Sequence, residues 1–245
     1  MDVQPVPRGV QRRQLDMDGC LECLDAIPQL SQAIWDFDGT LVDSEPVQAE
    51  AYRLILAEEG IVPPNGFFVH FVGQTEIWCK LAREYSLTAD LTSLRERRLK
   101  TLGKLLEDTP PNWFTIPLLD YFNGRGARSI IVSSGTKSVI TEYLSHWGLA
   151  DRFDSISATD PSRNGPSKTE RLTTAIRASV VGATVVLDDM STYLAIAREA
   201  GAVTIGVLHS LNGLNVMDVS DVHLLGDTHK HRRRRSGTSL WKAGI

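Results

Sequence analysis

A small set of side chains in this sequence has the types and spacing to handle phosphate. Asp36 and Asp38 follow the apolar run Ala33-Ile34-Trp35, and Ser133 and Ser134 follow Ile130-Ile131-Val132. Lys168 stands inside Ser167-Lys168-Thr169-Glu170, and Asp188 and Asp189 follow Val185-Val186-Leu187. Carboxylates gathered at one place repel one another and need a counter-cation. Hard oxygen donors of this kind suit Mg²⁺, which takes a few carboxylates and completes its shell with water and phosphate oxygens. A lysine ammonium and a serine hydroxyl supply positive charge and a hydrogen bond to a phosphoryl group, whose transfer is mostly positioning and charge neutralisation. One carboxylate can attack phosphorus to give an aspartyl-phosphate, and a second, two residues on, can act as general acid and base.

These groups meet only if the runs before them are neighbouring strands of one sheet with their carboxyl ends on one edge, where open parallel sheets bind ligands. The sequence supports that arrangement. Strand candidates at 33–36, 129–132, 153–156, 184–187 and 203–207 alternate with helical stretches at 138–147, 168–178 and 193–200. Such alternation implies a parallel sheet with helices on both faces. Ser167 and Glu170 form a capping-box pattern at the start of the second of these helices. Between the first two strands the pattern turns wholly helical. Residues 45–59 carry an apolar stripe that Gly60 stops, 77–85 continue as helix, and 91–106 place leucines near 3.6-residue spacing before Pro110-Pro111. The predicted fold is therefore α/β, a Rossmann-like parallel sheet core with an inserted α-helical cap domain. Residues 31–44 and 116–228 are expected to form the core, 45–115 the cap, 1–30 a poorly ordered leader, and 229–245 a basic tail.

The segment from Trp35 to Ser44, Trp-Asp-Phe-Asp-Gly-Thr-Leu-Val-Asp-Ser, resembles the first motif of the haloacid dehalogenase superfamily. Val132-Ser133-Ser134 resembles its second motif, Lys168 its phosphate-binding lysine, and Leu187-Asp188-Asp189 its acidic metal motif. The similarity spans roughly residues 31–210 and points to the phosphoglycolate phosphatase and β-phosphoglucomutase-like branch with a helical type-1 cap. It implies that Asp36 is nucleophile and Mg²⁺ ligand, and that Asp38 is general acid/base with its backbone carbonyl on the metal. It also implies that Ser133, Ser134 and Lys168 bind the phosphoryl group and that Asp188 and Asp189 anchor Mg²⁺. In the cap, Gln48, Gly73, Gln74 and Glu76 stand where substrate contacts are expected.

The implied activity is Mg²⁺-dependent hydrolysis of a small phosphorylated metabolite, a phosphomonoester. The presence of Asp38 favours phosphoryl chemistry over dehalogenation. The mutase branch carries a cap histidine and a cap arginine; Gln48 and Glu76 occupy those places, and a glutamate would repel a second phosphate. An intramolecular phosphotransferase and a non-catalytic ligand-binding protein are the alternatives. The chain departs from the family pattern at Gly165-Pro166-Ser167-Lys168, where Arg163 is the fallback cation, and at Thr192-Tyr193, where a later aspartate is usual.

Composition sets the frame. A chain of 245 residues with 42% hydrophobic and 23% charged residues is long enough to bury a core without disulfides. A net charge of −4 does not point to a nucleic-acid partner, and the basic run Lys230–Arg235 lacks interleaved aromatics. No apolar stretch reaches the roughly 18 residues of a membrane span. The start of the chain lacks an apolar targeting segment, and its three cysteines read as reduced thiols, so the expected location is the cytoplasm. A second Asp-x-Asp-Gly at Asp16–Gly19 is a decoy, because Arg12-Arg13-Gln14 before it makes a poor buried strand. The six histidines show no ligand spacing and read as structural or surface groups.

Overall fold

The computed structural model describes residues 16–71, 74, 76–161, 165–179, 183–209 and 215–225. Its strands are β1 (Leu30–Trp35), β2 (Arg128–Thr136), β3 (Ser155–Thr159), β4 (Ala183–Asp188), β5 (Val203–Leu208) and β6 (Val222–Leu225). They form one parallel sheet in the order β3-β2-β1-β4-β5-β6. That is a doubly wound order, in which the direction of winding reverses between β1 and β4.

Successive side chains on a strand point to opposite faces. Ala33 and Trp35 of β1, Ile131 of β2, and Val185 and Leu187 of β4 enter one core cluster with Phe122 and Leu144. Ile34, Ile130, Val132 and Val186 face the other way, onto Leu172, Ile176 and Ala197. Because both faces are covered, the central strands read as continuous apolar runs rather than as alternations. Phe122 lies on α5 (Thr115–Gly124) and Leu144 on α6 (Lys137–His146). Leu172 and Ile176 lie on α7 (Lys168–Arg177) and Ala197 on α8 (Ser191–Glu199); a short α9 (Asn215–Val219) precedes β6. Trp35 stands edge-on to Phe122 and Phe153, at 5.8 and 6.0 Å between ring centres.

Between β1 and α5 the chain builds a helical insert of α2 (Glu45–Glu58), a 3₁₀ turn (Phe67–Phe71), α3 (Ile77–Tyr85) and α4 (Leu91–Glu107). The insert has its own core of Tyr52, Ile55, Leu56, Phe68, Phe71, Trp78, Leu81 and Leu94. Trp78 and Trp113 therefore pack rather than line a ligand cavity. The returning tether is bonded to the loop after β1. The backbone N–H of Asn112 donates to Leu41 O at 2.9 Å, its side chain to Thr40 O at 2.7 Å, and the Thr115 hydroxyl to Leu41 O at 3.0 Å.

Several elements differ from the expectation. The leader contains helix α1 (Met17–Asp25), whose Cys20 and Leu24 are fully buried against the main core. Burial of a leucine stabilises by about 1.5–3 kcal/mol, enough to hold a nine-residue helix that is marginal alone. The decoy Asp16 is the N-cap of this helix, accepting from Gly19 N–H at 3.0 Å, and Asp18 lies exposed in its first turn. Helix α5 and strand β6 had no clear sequence signal. Residues 1–15 and the basic tail of 229–245 fall outside the described residues. Among the described residues, no helix is long and apolar enough to cross a membrane.

Candidate active site

The winding reversal places the carboxyl ends of β1 and β4 side by side, paired from Leu30 through Trp35 against Ala183 through Leu187. Asp36 therefore emerges beside Asp188 and Asp189. All three are buried, and each offers an oxygen within 4.8 Å of the others. Lys168, the first residue of α7, reaches between them. Its ammonium is 2.6 Å from Asp36 Oδ2 and 2.8 Å from Asp188 Oδ2, and it lies 4.0 Å from the ring centre of Tyr193. The capping box fixes where that helix starts: Ser167 N–H donates to Glu170 Oε2 at 2.7 Å, and Glu170 N–H to Ser167 Oγ at 3.2 Å.

The electrostatics follow from three buried carboxylates beside one ammonium, which two of them share. Burial pushes the Asp36 carboxyl well above its ordinary range; Lys168 pulls it back, and Asp188 and Asp189 push it up further. Burial also raises Asp188, against the pull of Lys168. For Lys168, burial works to lower the pKa, but Asp188 and Asp36 outweigh it and hold the ammonium charged. The surplus negative charge and the all-oxygen donor set fit a hard divalent cation.

The other expected residues fall as follows. Asp38 turns from the floor toward the insert, where the Ser44 hydroxyl and the Gln48 amide donate to its Oδ1 at 2.6 and 2.8 Å. Burial raises its pKa, opposed by those bonds and by Arg98. Ser133 is buried, and its hydroxyl accepts from Gly135 N–H at 3.0 Å; Ser134 is exposed at the rim. Both line one cavity of about 310 Å³ with Asp36, Asp38, Lys168, Asp189, Gln48 and Gln74. Gly73 and Arg163 lie outside the described residues. Glu76 is exposed and does not line the cavity. Its side chain therefore offers no ground for expecting repulsion of a second phosphate.

Two glycines permit this crowding. Gly39 has φ +74°, and a Cβ there would stand 2.6 Å from Asp189 Oδ2. A Cβ on Gly135 would meet Asp38 Oδ2 at 2.9 Å.

The sequence profile of the haloacid dehalogenase-like hydrolase family matches residues 33–207. The chain belongs to this family. This haloacid dehalogenase-like hydrolase is 29% identical over 199 residues to the fructose-1-phosphate phosphatase YqaB of Escherichia coli, across 78% of this chain and 96% of that protein. It is 26% identical over 192 residues to a phosphorylated carbohydrates phosphatase of Thermotoga maritima, across 75% and 88% of the two chains. Its fold superposes on CbbY of Rhodobacter sphaeroides, solved in complex with phosphate, with a TM-score of 0.66 at 18% identity, covering 80% and 93%.

Within the haloacid dehalogenase-like site stand residues that motif reading did not single out. Arg98 of α4 lines the cavity, donates to Gln48 Oε1, and stacks 4.7 Å from the ring centre of Tyr52. His209, just after β5, is fully buried with Nε2 2.9 Å from Asp189 Oδ2. Burial works to lower its pKa, but Asp189 and, more weakly, Glu45 and Asp43 raise it. Glu45 also lines the cavity, and burial, with Asp38 and Asp189, pushes its pKa up to about 8.

Proposed function

We propose that this hydrolase is a phosphatase that cleaves the phosphomonoester of a small phosphorylated carbohydrate, with Mg²⁺ as cofactor and Asp36 as nucleophile. The observation that carries the reading is the buried trio Asp36, Asp188 and Asp189, with Lys168 bridging Asp36 and Asp188, at the floor of a cavity that Asp38 and Ser133 also line. The two curated relatives support the substrate class, since both are named as phosphatases of sugar phosphates.

Asp36, Asp188, Asp189 and the Asp38 carbonyl would hold the ion, and their oxygen donors fit Mg²⁺. Bound there, Mg²⁺ supplies positive charge against the phosphate oxygens. An Asp36 oxygen forms a bond to phosphorus as the bond to the ester oxygen breaks, and Asp38 gives that oxygen its proton. Asp38 then takes a proton from water as the water oxygen attacks phosphorus, which releases phosphate and restores Asp36. The Ser133 hydroxyl and the Lys168 ammonium hold the transferring oxygens. Asp38 suits the double role. Burial favours its protonated form, while Ser44 and Gln48 occupy Oδ1 and leave Oδ2 near Gly135, within the cavity. Residues 45–115 act as the cap that excludes water. The cytoplasm suits an enzyme whose three cysteines form no disulfide.

A panel of sugar monophosphates, assayed with Mg²⁺ for released phosphate, tests the reading. Asp36→Asn should lower turnover on the order of 10³-fold or more. Retained turnover in that variant would end the proposal. A second reading, an intramolecular phosphotransferase, draws on Arg98, a cation in the insert that faces the cavity. It requires an isomerised sugar phosphate as product, with no free phosphate.

A further inference from the structure

The sequence of α7 and the end of β2 meet through one side chain outside the cavity. Arg171 donates from Nη2 to Ser133 O at 2.6 Å and from Nη1 to Pro166 O. These carbonyls belong to the two elements that carry the phosphate-binding groups, one beside the Ser133 hydroxyl and one two residues before Lys168. A guanidinium is a planar fork with fixed donor spacing, so it sets the separation of two acceptors in a way that an ammonium does not. Among the described residues no carboxylate pairs with Arg171, and its Nε is buried without a hydrogen-bond partner. The guanidinium as a whole is only partly buried, so both carbonyls are reached from its solvent side as well as from the core.

We infer that Arg171 is a positioning residue for phosphate binding, fixing the Ser133–Ser134 peptide and the turn that delivers Lys168 against each other. The step rests on the phosphatase reading of the same cavity. The 133–134 peptide is trans, as are all the described peptide bonds, so its N–H points opposite to its C=O. With the carbonyl held by Arg171, which does not line the cavity, the Ser134 amide turns away from Arg171, and Ser134 does line the cavity. On the other side, Pro166 O is held while Ser167 N–H is occupied by Glu170, so both ends of the 166–167 peptide are fixed. Lys168 follows directly, and its ammonium then reaches Asp36 and Asp188. Arg171 also donates its own N–H to Ser167 O at 3.0 Å, so the clamp and the first helical turn close together.

The test uses the Mg²⁺-supplemented enzyme, with p-nitrophenyl phosphate as substrate and inorganic phosphate as competitive inhibitor. Arg171→Ala should weaken phosphate inhibition and lower kcat/KM together, each by about 10–100-fold, the scale of a misplacement near 1 Å. Added guanidinium ion should restore part of both, and Arg171→Lys should recover less than Arg171→Ala with guanidinium, because one ammonium does not span both carbonyls. Phosphate inhibition within twofold of wild type in Arg171→Ala overturns the inference. So does a loss of activity that matches a loss of cooperative unfolding and is recovered by neither guanidinium nor Arg171→Lys. A wild-type enzyme that hydrolyses no phosphomonoester instead defeats the phosphatase reading itself.

Discussion

The floor and the roof of the cavity are held by different means. On the floor, Asp36, Asp188 and Lys168 are buried, and each charge stands within 2.8 Å of an opposite one. Their backbones belong to adjacent parallel strands and to a capped helix, so the side chains have little room to choose another place. On the roof, Gln48 and Arg98 are only partly buried, and each takes the other as partner across two helices. Gln74 is exposed, donating to His70 O and accepting from Lys80. The floor is over-determined, as a reaction centre must be. The roof groups stand nearer solvent and rest on one another, and under the proposed function they are the ones that would meet the substrate.

The strongest way to break this contrast is Lys168→Met, which takes away the ammonium shared by Asp36 and Asp188. Breaking a buried pair by removing one partner costs about 3–5 kcal/mol. The expected outcome is a large fall in melting temperature in chelator, partly restored by Mg²⁺, together with loss of phosphate release. An unchanged melting temperature in chelator would show that ion pairing does not hold the floor.

His209→Leu probes the edge of the floor. With the imidazole gone from Asp189 Oδ2, the Mg²⁺ concentration for half-maximal binding should rise about tenfold, the usual scale for partners of metal ligands. His209→Gln, which can bring a nitrogen to the same oxygen, should recover most of it. Calorimetric titration of Mg²⁺ measures both, and equal affinity in all three proteins would remove His209 from any role in the site.

Arg98→Ala changes the roof alone. KM should rise about tenfold with kcat altered less, as expected for a contact made equally in ground and transition states, and the ranking of sugar phosphates should shift. If kcat falls instead while KM holds, Arg98 acts on Asp38 through Gln48, and the division between floor and roof is less sharp than drawn.

The smallest effect lies far from both. His223 of β6 is fully buried, and neither ring nitrogen has a partner among the described residues. Burial lowers its pKa from 6.5, so the unfolded chain takes up a proton that the folded chain refuses. Its contribution to stability is present above about pH 6.5 and is lost as the pH falls below that value. His223→Leu should flatten the acid side of the stability profile, read from denaturant titrations at pH 5.5 and 7.5.

The central strands were legible because they are buried on both faces. Apolar runs such as Val185-Val186-Leu187 announce themselves without any alternation to decode. Asp36, Asp188 and Asp189 were legible for the same reason, since they end or directly follow those runs, while Lys168 was marked by the capping-box pattern of Ser167 and Glu170. His209 obeys the same rule, standing one residue past the end of β5, and extending the strand-end inspection to that run finds it. Arg98 sits four residues from both Leu94 and Leu102, a charge at the edge of an apolar stripe; that spacing is visible in the sequence, but its meeting with Gln48 is not. Glu76 was misplaced because the direction of a loop side chain depends on packing that no periodicity encodes, and it adopts a left-handed φ of 57° at the start of α3. Helix α1 does carry a short stripe, Met17, Cys20, Leu21 and Leu24 at helical spacing, but it spans only two turns within an otherwise polar segment and does not stand out.

The chain leaves for the insert and comes back through the same few residues. Asn112 and Thr115 are sewn to the carbonyls of Thr40 and Leu41, a short way along the loop that begins with Asp36. The helices above are thus anchored twice, by this stitched seam close to Asp36 and by Leu102 and Leu106 of α4, which are buried in the main core. If the proposed substrate is gripped from above, strain reaches Asp36 through the seam and the sheet's helices through α4.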